Sequence, residues 1–518
     1  MWAYTSRYVV VGAVLSVITS SVFAANITLR SPDGAFSLSG ELVEFDGIAY
    51  IMDSAIGRVR IEVNLVICVG DDCPDLSALS NDFMVVITNA VGKSLLPMLL
   101  EDFATSEGLR SVMEGTTGVA FEDSDGEVAA MVTLANVDTG AGLGAIADGT
   151  ALLAIALRQA SRDEVSAISD AGFGDITRVA QQTVLAMDGL VILVSSDNPV
   201  NSLTIQQVGD IFSGTVTNWN EIGGLDAAIN VYRQNVAASD SEFFRSEVLA
   251  QTGGDYTQAA SIISSNGNIS QSVSQDAFGI GFSSFANKGA AKTVSLQGSC
   301  GILSEPTNFS IKTEEYLLSR RLLAYTPDRV LPDLAGGLIA YLDSDAAQIQ
   351  VAQAGYVSLN AELKSVNGQG LRFANAILTD SNEIDLSDLK RMASLLVDAK
   401  RLSTTFRFVD GSSTLDARAE RDVERLVDWL IDQDLTNKQI LLVGFTDNNG
   451  KLNVNMALAE QRAEQVLDEM TAIAPAGMIE GINVKIVGLG ETSPLACSTA
   501  SRGRFMNRRV EVWIGDEN

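Results

Sequence analysis

Residues 25–79 alternate between apolar and polar positions with a period of two. The runs ITLRSPDGAFSLSGELVEFDGIAYIMD and RVRIEVNLVICV show this alternation, and glycines and Asp-Gly pairs separate their segments. Such alternation is typical of half-buried strands, and Asp-Gly is a common turn pair. The pattern therefore predicts a small module of short antiparallel strands, whose role the sequence does not indicate.

Residues 80–365 follow a second pattern, in which apolar runs alternate with stretches of helical spacing. The strand-like runs are FMVVIT, LVILVSS, INVYR and GIGFSS. Strands that alternate with helices are typical of α/β domains, so the pattern predicts α/β units with mostly parallel sheets. The length of the region indicates two such lobes.

The C-terminal part combines a connector with a third unit. Residues 366–394 are polar and lead into a predicted helix, DLSDLKRMASLLVDAK. Residues 395–518 alternate strand-like runs (STTFRF, QILLVGF, INVKIVGLG, RRVEVWI) with two stretches of helical spacing, LDARAERDVERLVDWLID and ALAEQRAEQVLDEM. The predicted fold class is therefore α/β, with a C-terminal α+β domain and a small N-terminal β module.

The first 24 residues have the pattern of a secretory signal peptide. Arg7 supplies a positive charge, residues 8–18 form a short apolar core, and Val22 and Ala24 place small side chains at the positions that a signal peptidase reads, for cleavage after Ala24. A membrane-spanning helix needs about 20 apolar residues, so a cleaved signal is preferred to a membrane anchor. We expect a mature protein exported to the periplasm.

Composition narrows the possible functions. The 518 residues include 35 Lys and Arg against 65 Asp and Glu, which gives a net charge of −30 and argues against nucleic acid as a partner. The chain has no histidine, which excludes Ser-His-Asp and Cys-His catalysis and histidine-bound metals. We expect a binding protein rather than an enzyme, without a metal or a cofactor.

The chain has four cysteines, and export permits disulfides. Cys68 and Cys73 flank VGDD and could close a tight local loop. Cys300 and Cys497 could then pair with each other or stay free. Four cysteines allow three full pairings, and the sequence does not choose among them.

The strongest local pattern is GFTDNNG (444–450) followed by NVNMALAEQRAEQV (453–466). A strand should end in a loop that exposes Asp447, and the next helix should carry Arg462 back towards it. A neighbouring aspartate and arginine suit a zwitterion, because the carboxylate accepts from an ammonium and the guanidinium clamps a carboxylate. A plain surface ion pair is the alternative interpretation.

Together with GLGETSP (488–494) and NRRVEV (507–512), these motifs resemble the OmpA-like peptidoglycan-binding domain. The resemblance implies that Asp447 and Arg462 hold the diaminopimelate of the cell-wall stem peptide. Asn455 and Leu458 match the N-x-x-L step that opens the helix. The NRR step beside the pocket is matched by Asn507 and Arg508.

The central region resembles the phosphate-binding component of phosphate ABC transporters. The resemblance rests on LAMDGLVILVSSDNPVNSLTIQQVGDIFSGTVTNWNEIGG (185–224), VYRQNVAASDSEFF (231–244), SNGNISQSVSQDAFGIGFSS (265–284), LSRRLLAYTP (318–327) and QAGYVSL (353–359). It implies a two-lobed periplasmic-binding-protein fold, type II-like, over residues 80–365. Phosphate or a related small oxyanion is the implied ligand of the cleft between the lobes.

Helix N-termini with free N–H groups suit such an anion. The resemblance places ligand loops at two segments and an arginine in the pocket; these candidates are Thr88, Asn89, Ala90 and Val91, then Ser239, Asp240 and Ser241, with Arg233 or Arg158. Three residues depart from the family pattern. Ala90 stands where a hydroxyl is usual, Asp240 replaces a glycine and adds a negative charge, and Glu242 stands where arginine is frequent.

Two functions follow from these resemblances. The first is a periplasmic solute-binding protein for phosphate or a related anion, held non-covalently on peptidoglycan in a Gram-negative envelope near the outer membrane. Delivery to an ABC permease is left open, since attachment to the wall could hinder docking. The second is an envelope structural or sensing protein whose binding-protein fold no longer binds phosphate, which the three departures favour.

Overall fold

The computed structural model describes residues 25–31, 36–45, 49–70, 72–74, 81–88, 94–378, 383–408 and 414–517. The predicted signal peptide and the candidate ligands Asn89, Ala90 and Val91 lie outside these ranges. The chain divides into two compact units, residues 1–79 and 80–518. Within the described ranges, no helix has both the length and the apolarity to cross a membrane.

The first unit is a five-stranded antiparallel sheet in the order β4-β3-β2-β1-β5. Its strands are β1 (Ala25–Arg30), β2 (Ser37–Phe45), β3 (Ala49–Ser54), β4 (Gly57–Glu62) and β5 (Ile67–Val69). Ile27, Leu29, Tyr50 and Met52 are its buried apolar residues at alternate strand positions. The strands that the alternation predicted are present, and a disulfide joins Cys68 on β5 to Cys73.

The second unit begins with the two-lobed domain. Its strands are β6 (Phe83–Thr88), β7 (Arg110–Glu114), β8 (Gly118–Glu122), β9 (Val128–Val137), β10 (Leu153–Ala156), β11 (Gln182–Val194), β12 (Ser202–Thr204), β13 (Asn230–Arg233), β14 (Ser261–Ile262), β15 (Gly279–Ser284), β16 (Lys292–Thr293), β17 (Ser295–Gln297), β18 (Leu303–Ser304) and β19 (Ser319–Tyr325). Its helices are α1 (Leu95–Ser106), α2 (Thr139–Ala147), α3 (Arg162–Asp170), α4 (Ile205–Ser213), α5 (Ser239–Phe244), α6 (Ala250–Thr252), α7 (Asn266–Ser274), α8 (Asn308–Lys312), α9 (Asp333–Leu342) and α10 (Asp345–Gln353).

Strand β11 passes from one lobe to the other. Residues 182–189 pair with β19 in the sheet of the first lobe, and residues 190–194 pair with β15 in the second lobe. In the first lobe, β6 lies between β10 and β9 and runs parallel to both. The sequence pattern predicted mostly parallel sheets. This prediction is wrong for β11 and β19, which run antiparallel to each other and to their other neighbours.

Each lobe has its own core. Helix α1 buries Leu96, Leu99 and Phe103 in the first lobe, in a cluster with the strands and with α9 and α10. The second lobe is held by stacked aromatic rings, with the Phe244 and Phe282 centroids 4.4 Å apart. Because β11 and β19 link the lobes, side chains on these strands lie at the lobe junction.

The C-terminal domain is a five-stranded sheet in the order β20-β21-β24-β22-β23, with helices on both faces. Its strands are β20 (Leu363–Ser365), β21 (Lys400–Arg407), β22 (Lys438–Phe445), β23 (Asn483–Gly488) and β24 (Arg509–Asp516). Its helices are α11 (Gly370–Leu378), α12 (Leu386–Leu396), α13 (Ala417–Ile431), α14 (Leu452–Ile473) and α15 (Ser501–Asn507). The sequence pattern predicted α12, α13, α14 and the four main strands.

The described parts of the connector expected at residues 366–394 belong to this domain instead. Strand β20 pairs with β21, and Ala376 and Met392 are buried in a cluster with Phe445 and Trp513 on one face of the sheet. The amphipathic helices α11 and α12 therefore cover a sheet face that would otherwise be exposed.

The C-terminal domain contacts both lobes of the central domain. A disulfide joins Cys300 of the second lobe to Cys497. Asp343 of the first lobe accepts hydrogen bonds from Arg421 (3.1 Å) and Arg425 of α13. These links hold the C-terminal domain to each lobe independently.

Candidate functional sites

Asp447 lies in the loop that follows β22, at the end of the C-terminal sheet. It is 4% exposed, and its Oδ1 accepts a hydrogen bond from the Asn449 amide at 2.9 Å. Its Oδ2 accepts from Nε of Arg508, which directly precedes β24. Since β22 and β24 are paired, their ends bring these two residues together.

Arg462 lies on α14 and is 3% exposed. Its guanidinium carbon is 5.2 Å from the centroid of the Phe408 ring at the end of β21. Burial and the positive charge of Arg508 lower the pKa of Arg462, and the Asp447 carboxylate opposes this shift. Arg462 and Arg508 therefore place two cations around the Asp447 carboxylate.

Glu491 is a second carboxylate of this pocket, and the sequence reasoning did not single it out. It accepts a hydrogen bond from Nδ2 of Asn455, whose amide also donates to the Asp447 carbonyl at 3.3 Å. Burial raises the pKa of Glu491, as do the charges of Glu383 and Asp447. The motif GLGETSP contained this residue, which was the available signal.

The remaining predicted residues of the pocket have different positions. Asn507 is buried and holds the adjacent loop, since its Oδ1 accepts from the Leu495 and Ala496 amides at 2.8 and 3.2 Å. Leu458 is half-buried on α14. The structure brings five residues together in this pocket: Asp447, Arg462, Arg508, Asn455 and Glu491.

This pocket can hold a zwitterion. Arg462 offers a guanidinium to a carboxylate, and the carboxylates of Asp447 and Glu491 offer acceptors to an ammonium. Low exposure strengthens each of these interactions, because nearby water screens the charges less.

A buried charge network occupies the junction of the two lobes. Arg320 on β19 donates from Nε and Nη2 to Oδ2 of Asp188 on β11, at 3.0 and 2.7 Å. The same Nη2 lies 2.6 Å from Oδ1 of Asp240 on α5. Arg320 is 4% exposed and Asp240 is 1% exposed. Burial alone would lower the pKa of Arg320, but the two carboxylates raise it above its ordinary value.

Neutral polar groups extend this network on both sides. Asn266 at the start of α7 donates from Nδ2 to Oδ2 of Asp240 at 2.5 Å. Asp188 accepts from the Ser284 hydroxyl at 2.9 Å and from the Phe285 amide at 3.1 Å. Asp188, Arg320 and Asn266 were not predicted, although the quoted central motifs contain all three.

The other second-lobe candidates surround Gln234. Arg233 donates from Nη1 to the Gln234 carbonyl at 2.9 Å, and its guanidinium carbon is 4.7 Å from the Tyr256 ring centroid. The Ser241 hydroxyl points to the same carbonyl at 3.4 Å. Ser239 is half-buried at the first position of α5.

The described candidate residues of the first lobe, Thr88 and Arg158, have no contact partner in common. Thr88 ends β6, and its buried hydroxyl has no hydrogen-bond partner in the described part of the chain. Arg158 is 44% exposed and donates to both oxygens of Glu164, at 2.7 and 2.8 Å. The Glu164 carboxylate and the more distant charge of Glu242 raise the pKa of Arg158.

Two of these arginines, Arg320 and Arg158, therefore have internal counter-charges. Arg320 faces two carboxylates, which gives the set of three a net charge of −1. Arg158 is already paired with Glu164. No group of three or more cysteine, aspartate or glutamate side chains among the described residues could hold a metal ion.

Family models match both parts of the second unit. Residues 102–346 match the PBP superfamily domain, and residues 407–508 match the OmpA family. Both resemblances that the motifs indicated are confirmed. The second unit therefore contains a region similar to PBP superfamily domains, followed by a region similar to the OmpA family.

Curated relatives match the central domain. The phosphate-binding protein PstS of Pseudomonas aeruginosa is 30% identical over 206 residues, which are 36% of this chain and 63% of that protein. PstS of Staphylococcus epidermidis is 28% identical over 238 residues, which are 44% of this chain and 70% of the relative. The chain thus spans less than two thirds of the Pseudomonas relative.

Solved structures resemble each domain separately. An ABC-type phosphate transport receptor from Vibrio cholerae has 22% identity and a TM-score of 0.42, and the match covers 53% of this chain and 99% of the receptor. The peptidoglycan-associated lipoprotein of Burkholderia pseudomallei has 22% identity and a TM-score of 0.19, with coverage of 21% and 88%.

Proposed function

We propose that this protein is a periplasmic protein attached non-covalently to peptidoglycan through its C-terminal domain. The observation that carries the proposal is the convergence of Arg462, Arg508, Asp447 and Glu491 at one end of the sheet. The stem peptide of the wall offers the matching ligand, because the free end of diaminopimelate has one carboxylate and one ammonium.

We assign a role to each residue of this pocket from these contacts. Arg462 binds the ligand carboxylate, and Asp447 and Glu491 accept from the ligand ammonium. Arg508 orients Asp447, and Asn455 orients Glu491 while it also contacts the Asp447 loop. Binding requires no bond chemistry, which agrees with a binding protein rather than an enzyme.

Free diaminopimelate should compete with the wall for this pocket. Native protein should sediment with purified peptidoglycan, and millimolar diaminopimelate should release it. Pimelate is the matched control, because it keeps the carbon chain and both carboxylates but lacks the ammonium groups. Equal release by the two compounds would contradict a zwitterion pocket.

The central domain has two candidate roles. Capture of phosphate or a related oxyanion is supported by relatives that are named phosphate-binding proteins. An organising or sensing role in the envelope, without phosphate binding, is favoured by the Asp240 carboxylate beside Arg320. We propose the second role, because the set of Arg320, Asp188 and Asp240 already has a net negative charge.

Titration of the mature native protein with phosphate separates these roles. We expect neither heat in calorimetry nor a rise in melting temperature with millimolar phosphate at neutral pH. Saturable binding at micromolar phosphate would instead establish oxyanion capture and leave delivery to an ABC permease as the next question.

A further inference from the structure

We propose that the Asp240 carboxylate is a resident anion, which occupies Arg320 at the lobe junction in place of a bound oxyanion and determines what the cleft accepts. The proposal rests on the proposed loss of phosphate binding and gives that loss a cause. It assigns Asp240 as the residue that determines specificity in the central domain.

The contacts of Asp240 are those of a bound oxyanion. One oxygen lies 2.6 Å from the Arg320 guanidinium, and the other accepts from the Asn266 amide at 2.5 Å. Both oxygens therefore have partners of the kind that phosphate oxygens select. The carboxylate is 1% exposed, so an entering anion would have to displace it.

The charge at the junction opposes a second anion. Arg320 is already neutralised by Asp188 through two hydrogen bonds to one carboxylate oxygen. Asp240 then brings the set to −1, and the unfavourable energy of adding a phosphate is large where burial reduces screening. Without the Asp240 charge, the remaining pair of Arg320 and Asp188 would be neutral. The N–H groups of Arg320 could then donate hydrogen bonds to a solute.

Arg320 has a donor ready for such a solute. Its Nη1 is buried and makes no hydrogen bond to any described residue. Buried guanidinium donors are normally satisfied, so this nitrogen favours an additional acceptor at the junction. The acceptor that Asp240 supplies reaches only Nη2.

Asp240 also connects the lobes as a solute would. It belongs to the second lobe through α5, whereas Arg320 lies on β19 opposite Asp188, in the part of β11 that belongs to the first-lobe sheet. Glu242, two residues further on, raises the pKa of the first-lobe Arg158 by its charge. The acidic start of α5 thus faces cations of the opposite lobe and joins the lobes without a ligand.

The test uses two variants of the full mature chain. Asp240→Gly removes the carboxylate and opens space, and Asp240→Asn removes the charge at nearly constant volume. We expect both to gain phosphate affinity, with Asp240→Gly binding at least about ten-fold more tightly than the weakest affinity that calorimetry of the native protein would detect, as expected for one buried charge contact. Asp197→Asn, an exposed site in the same domain, should leave phosphate binding unchanged.

The outcomes separate this inference from the proposed function. If neither folded variant exceeds native affinity and the native protein binds no phosphate, Asp240 is not the resident anion but the phosphate-free role stands. If the native protein binds phosphate at micromolar concentration, the phosphate-free role and the resident anion are both wrong. If Asp197→Asn gained as much phosphate affinity as the Asp240 variants, the gain would be a general effect of net charge. That result would also overturn the inference.

Discussion

Replacing Arg462 with alanine should sharply reduce co-sedimentation of the protein with purified peptidoglycan. The guanidinium is the group that clamps the ligand carboxylate, and a charge-assisted contact of this kind contributes roughly 1.5–3 kcal/mol, or about ten- to a hundred-fold in affinity. Asp447→Asn should have a comparable effect, since it removes the negative charge that receives the ammonium. The measurement is the fraction of protein in the pellet as a function of peptidoglycan concentration.

The control must separate the pocket from general charge attraction. Arg391→Ala removes an exposed arginine of α12 in the same domain and should leave sedimentation unchanged. Because Arg462 is buried, circular dichroism and the melting temperature should confirm that its variant is folded. Undiminished sedimentation of both Arg462→Ala and Asp447→Asn would show that the zwitterion pocket lies elsewhere.

Local spacing was sufficient to predict that Asp447 and Arg462 lie near each other, whereas Asn455 and Arg508 were expected only from the family resemblance. Asp447 and Arg462 lie on a strand–loop–helix unit, so their proximity follows from one short segment. The pairing of Arg508 with Asp447 joins residues 61 positions apart and depends on the register of β22 with β24. Such a register depends on the whole sheet and cannot be predicted from any one motif.

The cleft was harder to predict for the same reason. Asp188 and Arg320 face each other only because β11 and β19 pair antiparallel with those residues in register. The sequence suggested that Asp240 would disfavour an anion, but its partner could not be named. The Cys300–Cys497 disulfide, 197 residues apart, likewise required the tertiary structure.

The misassigned connector shows a limit of polarity as a signal. Residues 366–394 are polar enough to resemble a linker, yet Ala376 and Met392 are buried against the C-terminal sheet. A short amphipathic helix exposes most of its residues, so its average polarity differs little from that of a loop. The helix can be told from a loop only by the sheet face against which it packs.

The second large effect is expected at Glu511, and it concerns stability. Glu511 on β24 is fully buried and accepts from Arg372 at 2.7 Å and from Arg509 at 2.6 Å. Its Oε1 is also 3.3 Å from Nη2 of Arg401. Glu511→Gln would leave three buried guanidinium groups with Glu315 as their nearby counter-charge. Loss of one partner of a buried pair costs about 3–5 kcal/mol, so the free energy of unfolding should fall by that amount in urea titrations.

The control and the pH dependence make this prediction specific. Glu424→Gln on α13 removes a half-exposed carboxylate and should change the free energy of unfolding by less than about 1 kcal/mol. Burial alone would raise the pKa of Glu511, but Arg372, Arg401 and Arg509 hold it below its ordinary value. The stability that Glu511 contributes is therefore complete above the pKa of a glutamate in the unfolded chain, about 4.3, and declines as the pH falls below it. The native and Glu511→Gln curves should converge in acid, and a constant difference down to pH 3 would show that the charge of Glu511 is not the cause.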